Sequence, residues 1–137
     1  MEPIAIEIAI EIDMPMSQAV ESLTFNLKKE GFGILTTINL SGTLKEKLGV
    51  EIEDTLIFGA CNPTFAYEAI TIDANAGLVL PCNVVVKNTG SKTTISIANP
   101  FDIINQPNLQ DVASKAYKSL QNVISGIKSE ISHEKED

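Results

Sequence analysis

Arginine is absent from this chain: all ten of its basic residues are lysine. Arginine is the usual bidentate partner of phosphates and of guanine edges. A net charge of −8 adds repulsion toward any polyanion. Together these argue against nucleic acid as a partner. Tryptophan is also absent, and isoleucine is heavily used. Histidine occurs once, as His133 in a charged C-terminal stretch, so no imidazole stands near a nucleophile in sequence. Two cysteines cannot build a disulfide framework, and they do not form a CxxC pair. No apolar run reaches the roughly 20 residues of a membrane-spanning helix. Met1-Glu2-Pro3 carries acid where a secretory signal needs basic residues. These absences predict a cytosolic protein with reduced cysteines and no membrane partner.

What is present fits one domain. The 137 residues suffice for a hydrophobic core without staples. We assign residues 1–132 to a single α+β domain and residues 133–137 to a charged, frayed tail. In residues 4–12, Ile4, Ile6, Ile8, Ile10 and Ile12 alternate with Ala5, Glu7, Ala9 and Glu11. A period of two predicts a strand with one buried face, its glutamates turned to solvent or to a lysine-bearing neighbour. Asp13 and Pro15 open a helix carrying Met16, Val20, Leu23 and Leu27 at helical spacing, and Gly31 stops it. Residues 33–39 form a second strand. Residues 41–48 form a short helix capped by Ser41 or Thr43 and closed by Gly49.

Residues 55–60 are a continuous apolar run, read as a buried strand. Cys61-Asn62-Pro63 breaks it, with Asn62 as cap and Pro63 opening a helix whose inner face is Phe65, Ala66, Ala69, Ile70 and Ile72. Asn75-Ala76-Gly77 is a turn, and Pro81 bars a regular central-strand position. Residues 82–88 and 92–98 form a hairpin about Thr89-Gly90-Ser91. The last helix spans residues 107–130, with Leu109, Val112, Ala116, Leu120, Val123 and Ile127 on one face. Gly126 weakens it by about 1 kcal/mol relative to alanine. The terminal hairpin breaks a strict strand–helix alternation. The expected fold is therefore α+β: a curved, mainly antiparallel sheet packed against helices, with a long C-terminal helix.

Both cysteines adjoin a proline turn, in Cys61-Asn62-Pro63 and Leu80-Pro81-Cys82. Cys61, Asn62, Pro63, Pro81 and Cys82 are the candidate ligand-binding or thiol site. A thiol at a helix N-terminus has its thiolate favoured by the dipole. The pair could cycle through a disulfide, hold a covalent intermediate or bind metal, and a dimer would bring four thiols, enough for zinc or an iron–sulfur cluster. Against this, free cysteine is among the most buried residue types. Asn62 either caps its helix or leaves free N–H groups for an anion. Glu46, Glu51, Glu53 and Asp54 flank lysines, and a solvated face outweighs acid/base work there. Gly31-Phe32-Gly33 lacks the lysine and Ser/Thr of a phosphate loop and reads as a helix C-cap.

Several segments also resemble a known family. They are Gly31-Phe32-Gly33, Leu44-Lys45-Glu46-Lys47-Leu48-Gly49, Gly59-Ala60-Cys61-Asn62-Pro63, Ala66-Tyr67-Glu68-Ala69, residues 77–86 with Leu80-Pro81-Cys82, and Asn99-Pro100. Over residues 16–100, roughly two-thirds of the chain, the sequence resembles the prokaryotic domain of unknown function 302. The last motif departs from the family's usual Asp-Pro and so lacks a carboxylate. The resemblance implies a fold similar to the TATA-binding-protein class and a small homodimer or a module fused to others. It assigns no activity. From the residues, the expected function is a non-enzymatic ligand- or partner-binding module: a cytosolic homodimer with a pocket for a small apolar ligand or a partner. The alternative is a thiol-dependent redox or metal-binding protein using Cys61 and Cys82. Catalytic residues and cofactor stay unassigned.

Overall fold

A computed structural model describes the backbone of residues 7–136 and the side chains of residues 8–131. In chain order the elements are β1 (Glu7–Ile12), α1 (Met16–Lys29), β2 (Gly33–Asn39), α2 (Leu40–Leu48), β3 (Thr55–Cys61) and α3 (Pro63–Ile72), then β4 (Cys82–Thr89), β5 (Lys92–Ala98), α4 (Pro100–Ile103) and α5 (Gln110–Glu136). Single 3₁₀ segments occupy Ala74–Val79 and Pro107–Leu109. The strands form one five-stranded sheet in the order β1-β5-β4-β3-β2, antiparallel throughout. This is the expected α+β architecture, with its long C-terminal helix.

The alternating pattern of the strands puts one face against α1 and α5. Ile10 lies opposite Ile95, and Ile95 opposite Val86. Phe58 lies opposite Val84, and Val84 opposite Ile97. All of these are buried together with Leu23 and Leu27 of α1 and Leu120, Val123 and Ile127 of α5. Of the isoleucines expected on the inner face of β1, Ile8, Ile10 and Ile12 meet this core, while Ile4 and Ile6 lie outside the described residues. Glu11 on the opposite face pairs with Lys92 at 3.4 Å, the lysine-bearing neighbour anticipated for it.

The structure departs from the sequence reading at several boundaries. Ile70 and Ile72 are exposed, so the inner face of α3 reduces to Phe65, Ala66 and Ala69. The cap of α2 is Asn39, whose Oδ1 accepts from the Gly42 N–H at 3.0 Å. Ser41 instead accepts from the Thr55 N–H at 3.0 Å and ties α2 to β3. A short helix the sequence reading did not include, α4, follows β5 and is started by Asn99, whose Oδ1 accepts from the Phe101 N–H at 3.0 Å. Helix α5 runs through Glu136 rather than stopping near Glu130. The side chain of His133 lies outside the described residues.

Gly126 has a structural reason. Asn26 of α1 is buried, and its Nδ2 donates to the Ser22 carbonyl at 2.8 Å and to Glu130 Oε1 at 3.0 Å. The Ser22 hydroxyl donates to Glu130 Oε2. A β-carbon at Gly126 would stand 2.0 Å from Asn26 Oδ1. The helices can approach at this polar seam only because residue 126 has no side chain. Gly126→Ala is therefore expected to destabilise the protein by about 1–3 kcal/mol through overpacking, although alanine is the better helix former. Urea unfolding checks the sign: a midpoint unchanged or raised would show that the two helices separate without cost.

Candidate functional site

The two proline motifs meet where β3 ends and β4 begins. Ala60 is the register partner of Cys82, so Cys61 follows directly after the residue that Cys82 faces. Both cysteines line one narrow, partly open cavity of about 30 Å³ beneath α3. Its other walls include Phe32, Phe65, Leu80, Leu109, Val112 and Ala116, and almost none of its surface is polar. A volume of this size accommodates a water-sized guest, whereas a benzene-sized ligand needs a cavity of about 150 Å³. The expected pocket between sheet and helices is thus present but too small for an organic ligand in this conformation. The chain-distant walls Leu109 and Val112 carried no local signal beyond their helical spacing.

Asn62 ties these turns together. Its Oδ1 accepts from the Thr64 and Phe65 N–H groups at 3.0 and 3.2 Å, and its Nδ2 donates to the Glu30 carbonyl at 3.1 Å. The cap of α3 is thereby bonded to the C-terminus of α1. Gly31 makes room for it: its φ is +82°, and a β-carbon there would sit 3.0 Å from Asn62 Nδ2. Beside this contact Phe32 and Phe65 meet edge to face at 6.2 Å. Asn62 is therefore a helix cap, and its amide occupies N–H groups that an anion would need. Pro63 takes the first position of α3. Pro81 follows a cis peptide bond and packs near Gly59, where a β-carbon would stand 2.9 Å from Pro81 Cγ and 2.3 Å from Thr36 Oγ1.

The thiols behave differently from the dipole expectation. Burial pushes the Cys82 thiol up to about 11, and the nearby Cys61 adds to the shift. Burial also raises the partly exposed Cys61. At neutral pH both sulfurs are protonated thiols, and the helix N-terminus that would have favoured a thiolate is already capped by Asn62. Both cysteines are free. Among the described residues no three His, Cys, Asp or Glu side chains converge as a metal cluster. Glu46, Glu51, Glu53 and Asp54 are exposed, with Glu51 paired to Lys45 and Glu53 to Lys87. No helix among the described residues is long and apolar enough to cross a membrane.

The profile of the family described as Domain of unknown function DUF302 matches residues 8–127. The chain belongs to this family. The match extends the resemblance of residues 16–100 back into β1 and forward into α5. The crystal structure of an uncharacterized conserved protein DUF302 from Bacillus stearothermophilus is similar to this chain at 27% identity, with a TM-score of 0.80 over 89% of this chain and 98% of that one. A comparison with curated proteins found no match. In this DUF302 chain Asn99 does what Asn62 does: each follows a strand, precedes a proline and caps the helix that begins there. A carboxylate at position 99 is not needed for that cap.

Two outcomes follow from this geometry. Asn62→Ala is expected to destabilise the fold by about 1–3 kcal/mol, because it uncaps α3 and leaves the Glu30 carbonyl without its donor. Thermal unfolding followed by circular dichroism measures it; a loss within error would mean that water replaces all three bonds. The raised Cys82 pKa favours the native state while the thiol is protonated. That contribution is complete below the ordinary thiol value of 9.0 and is lost as pH rises toward about 11. Between those limits the wild type should lose about 2 kcal/mol more than Cys82→Ala. Parallel pH dependences of the two stabilities would show that Cys82 titrates like an unfolded thiol.

Proposed function

We propose that this protein is a non-enzymatic assembly module, a cytosolic homodimer that joins its second copy through the bare face of the sheet. One observation carries this reading: through its centre that face is apolar and open, with Ala9 and Ile38 exposed and Ile57, Val85 and Ser96 half-buried. It presents a cross-strand row of Ile38, Ile57, Val85, Ser96 and Ala9, set side by side by the register. A neighbouring row runs through Thr36, Gly59 and Asn83, where Pro81 packs on Gly59. Charges stand at the margins: Lys87 pairs with Glu53 and Glu11 with Lys92 at one, and Glu7 is the register partner of Ala98 at the other.

The identity of the occupant follows from charge and size. In a chain of net charge −8, a second copy meets least repulsion where each copy is neutral. Five strands about 4.8 Å apart and about six residues long span roughly 500 Å² per copy. A pair then buries about 1,000 Å², the lower limit of a specific interface. The pairing is therefore two-fold, self-complementary and concentration-dependent. The one-sided antiparallel sheet supports the likeness to the TATA-binding-protein class that the resemblance implied, while the acidic, arginine-free composition keeps nucleic acid off this face. The protonated thiols, with no cluster of His, Asp or Glu beside them among the described residues, support a non-enzymatic role.

Sedimentation equilibrium tests the assembly. The wild type should be a reversible dimer, and Val85→Glu should be a folded monomer, because it places like charges across the two-fold contact. A wild-type monomer at every concentration, or a Val85→Glu dimer of unchanged affinity, would overturn the reading. Cys61→Ser and Cys82→Ser should leave the dimer intact with a modest loss of stability. If either abolished assembly while the chain stayed folded, the thiol-dependent reading would take its place.

A further inference from the structure

The cavity beneath α3 has a neighbour. A second, mainly apolar cavity of about 40 Å³ lies where β4 begins and β5 ends, with Pro81, Ala98 and Pro100 among its walls. Val79, Cys82 and Ile104 line both cavities, so these three side chains form the partition between them. Ile103 lines the second cavity and is 46% exposed, which places a mouth there. Phe32, Phe65 and Leu109 line only the first and mark the inner end. The partition stands on lightly anchored backbone. Val79 ends the 3₁₀ segment Ala74–Val79, where the Leu80 N–H reaches the Gly77 carbonyl at a long 3.4 Å. Ile104 follows the four-residue α4. Short segments of this kind open at lower cost than the sheet or the long helices. The loop that carries Ile103 and Ile104 also buries two oxygens with no donor among the described residues, Asp102 Oδ2 and Gln106 Oε1. Buried acceptors left unsatisfied call for a donor from elsewhere.

We propose that the two cavities are one binding site for an unbranched aliphatic chain with a hydroxyl head, a linear primary alcohol. The chain enters beside Ile103, pushes the Val79 and Ile104 side chains aside and ends against Phe32 and Phe65. Neither cavity alone holds an organic molecule, but end to end they form a passage wide enough for a single methylene chain and too narrow for a ring. The hydroxyl stays at the mouth and donates to an unsatisfied oxygen of the same loop, where Asp102 adjoins Ile103. A carboxylate head can only accept there, and a protein of net charge −8 repels it. Because the partition must move, the observed affinity is the intrinsic one reduced by the fraction of molecules already open. The site lies within one chain and does not rest on assembly through the sheet face.

Full-length protein with isotopically labelled methyl groups is titrated with the linear primary alcohols butanol, hexanol and octanol, and with hexanoate and cyclohexanol for comparison. Nuclear magnetic resonance reads the site and the affinity together. Saturable shifts at Val79, Ile104 and Leu109 are expected, with one alcohol bound per chain. Each methylene added along the series should tighten binding about fourfold. Hexanoate and cyclohexanol should bind about tenfold more weakly than hexanol. Ala66 lines the inner cavity, so Ala66→Leu fills it and should weaken hexanol about tenfold. The wild-type shifts test the site even if Ala66→Leu does not fold. An absence of saturable shifts would overturn the proposal, as would shifts confined to Ile38, Ile57 and Val85 on the sheet face. Hexanoate or cyclohexanol binding as tightly as hexanol, or unchanged affinity in a folded Ala66→Leu, would overturn it too.

Discussion

Everything in this molecule depends on burying one face of a sheet under two helices. Strand β5, beside the central β4, carries much of that burial. Ile95 and Ile97 are fully buried, with β1 on one side, β4 on the other and α1 and α5 above. With no tryptophan available, the packing is made almost entirely by aliphatic side chains. Such a core has little directional specificity of its own. Specificity comes from a few polar contacts buried at its margins: Asn26 with Glu130 between the helices, Thr93 Oγ1 donating to the Met14 carbonyl at 2.8 Å, and Asn62 beneath α3.

Asn62 shows how such a contact fixes more than its own neighbourhood. One amide starts α3, holds the end of α1 and excludes an anion from the helix terminus. The cysteine beside it consequently meets a capped helix and an apolar wall. Desolvation then outweighs the dipole, and the thiol pKa moves up instead of down. A motif that suggests a reactive thiol in isolation becomes a protonated one in place. The same dryness makes both thiols poor nucleophiles, because the reactive form is the thiolate that burial disfavours.

The sheet's two faces divide the molecule's tasks. The inner face is committed to the core. The outer face is small and apolar through its centre, with ion pairs at one margin and Glu7 at the other.

The sequence by itself determined the strands, the longer helices and, α3 apart, the side of each that faces inward, because periods of two and 3.6 are local and hydrophobic burial reads them directly. It also marked Asn62 as a cap and Gly31 as a stop, since both act on their own turns. The α+β class followed from element order. Tertiary structure alone decided the rest. Ile70 and Ile72 sit at helical spacing yet stay exposed, because only one stripe of α3 finds a partner. Gly126 looked like a weakness until Asn26, a hundred residues earlier in the chain, proved to occupy the space. Asn39 displaced Ser41 as a cap because Ser41 has a bond to make with Thr55 across a loop. The direction of the thiol shifts needed the cavity walls from α5. Each of these depends on which distant group arrives beside a residue, and that is set by packing rather than by any local pattern.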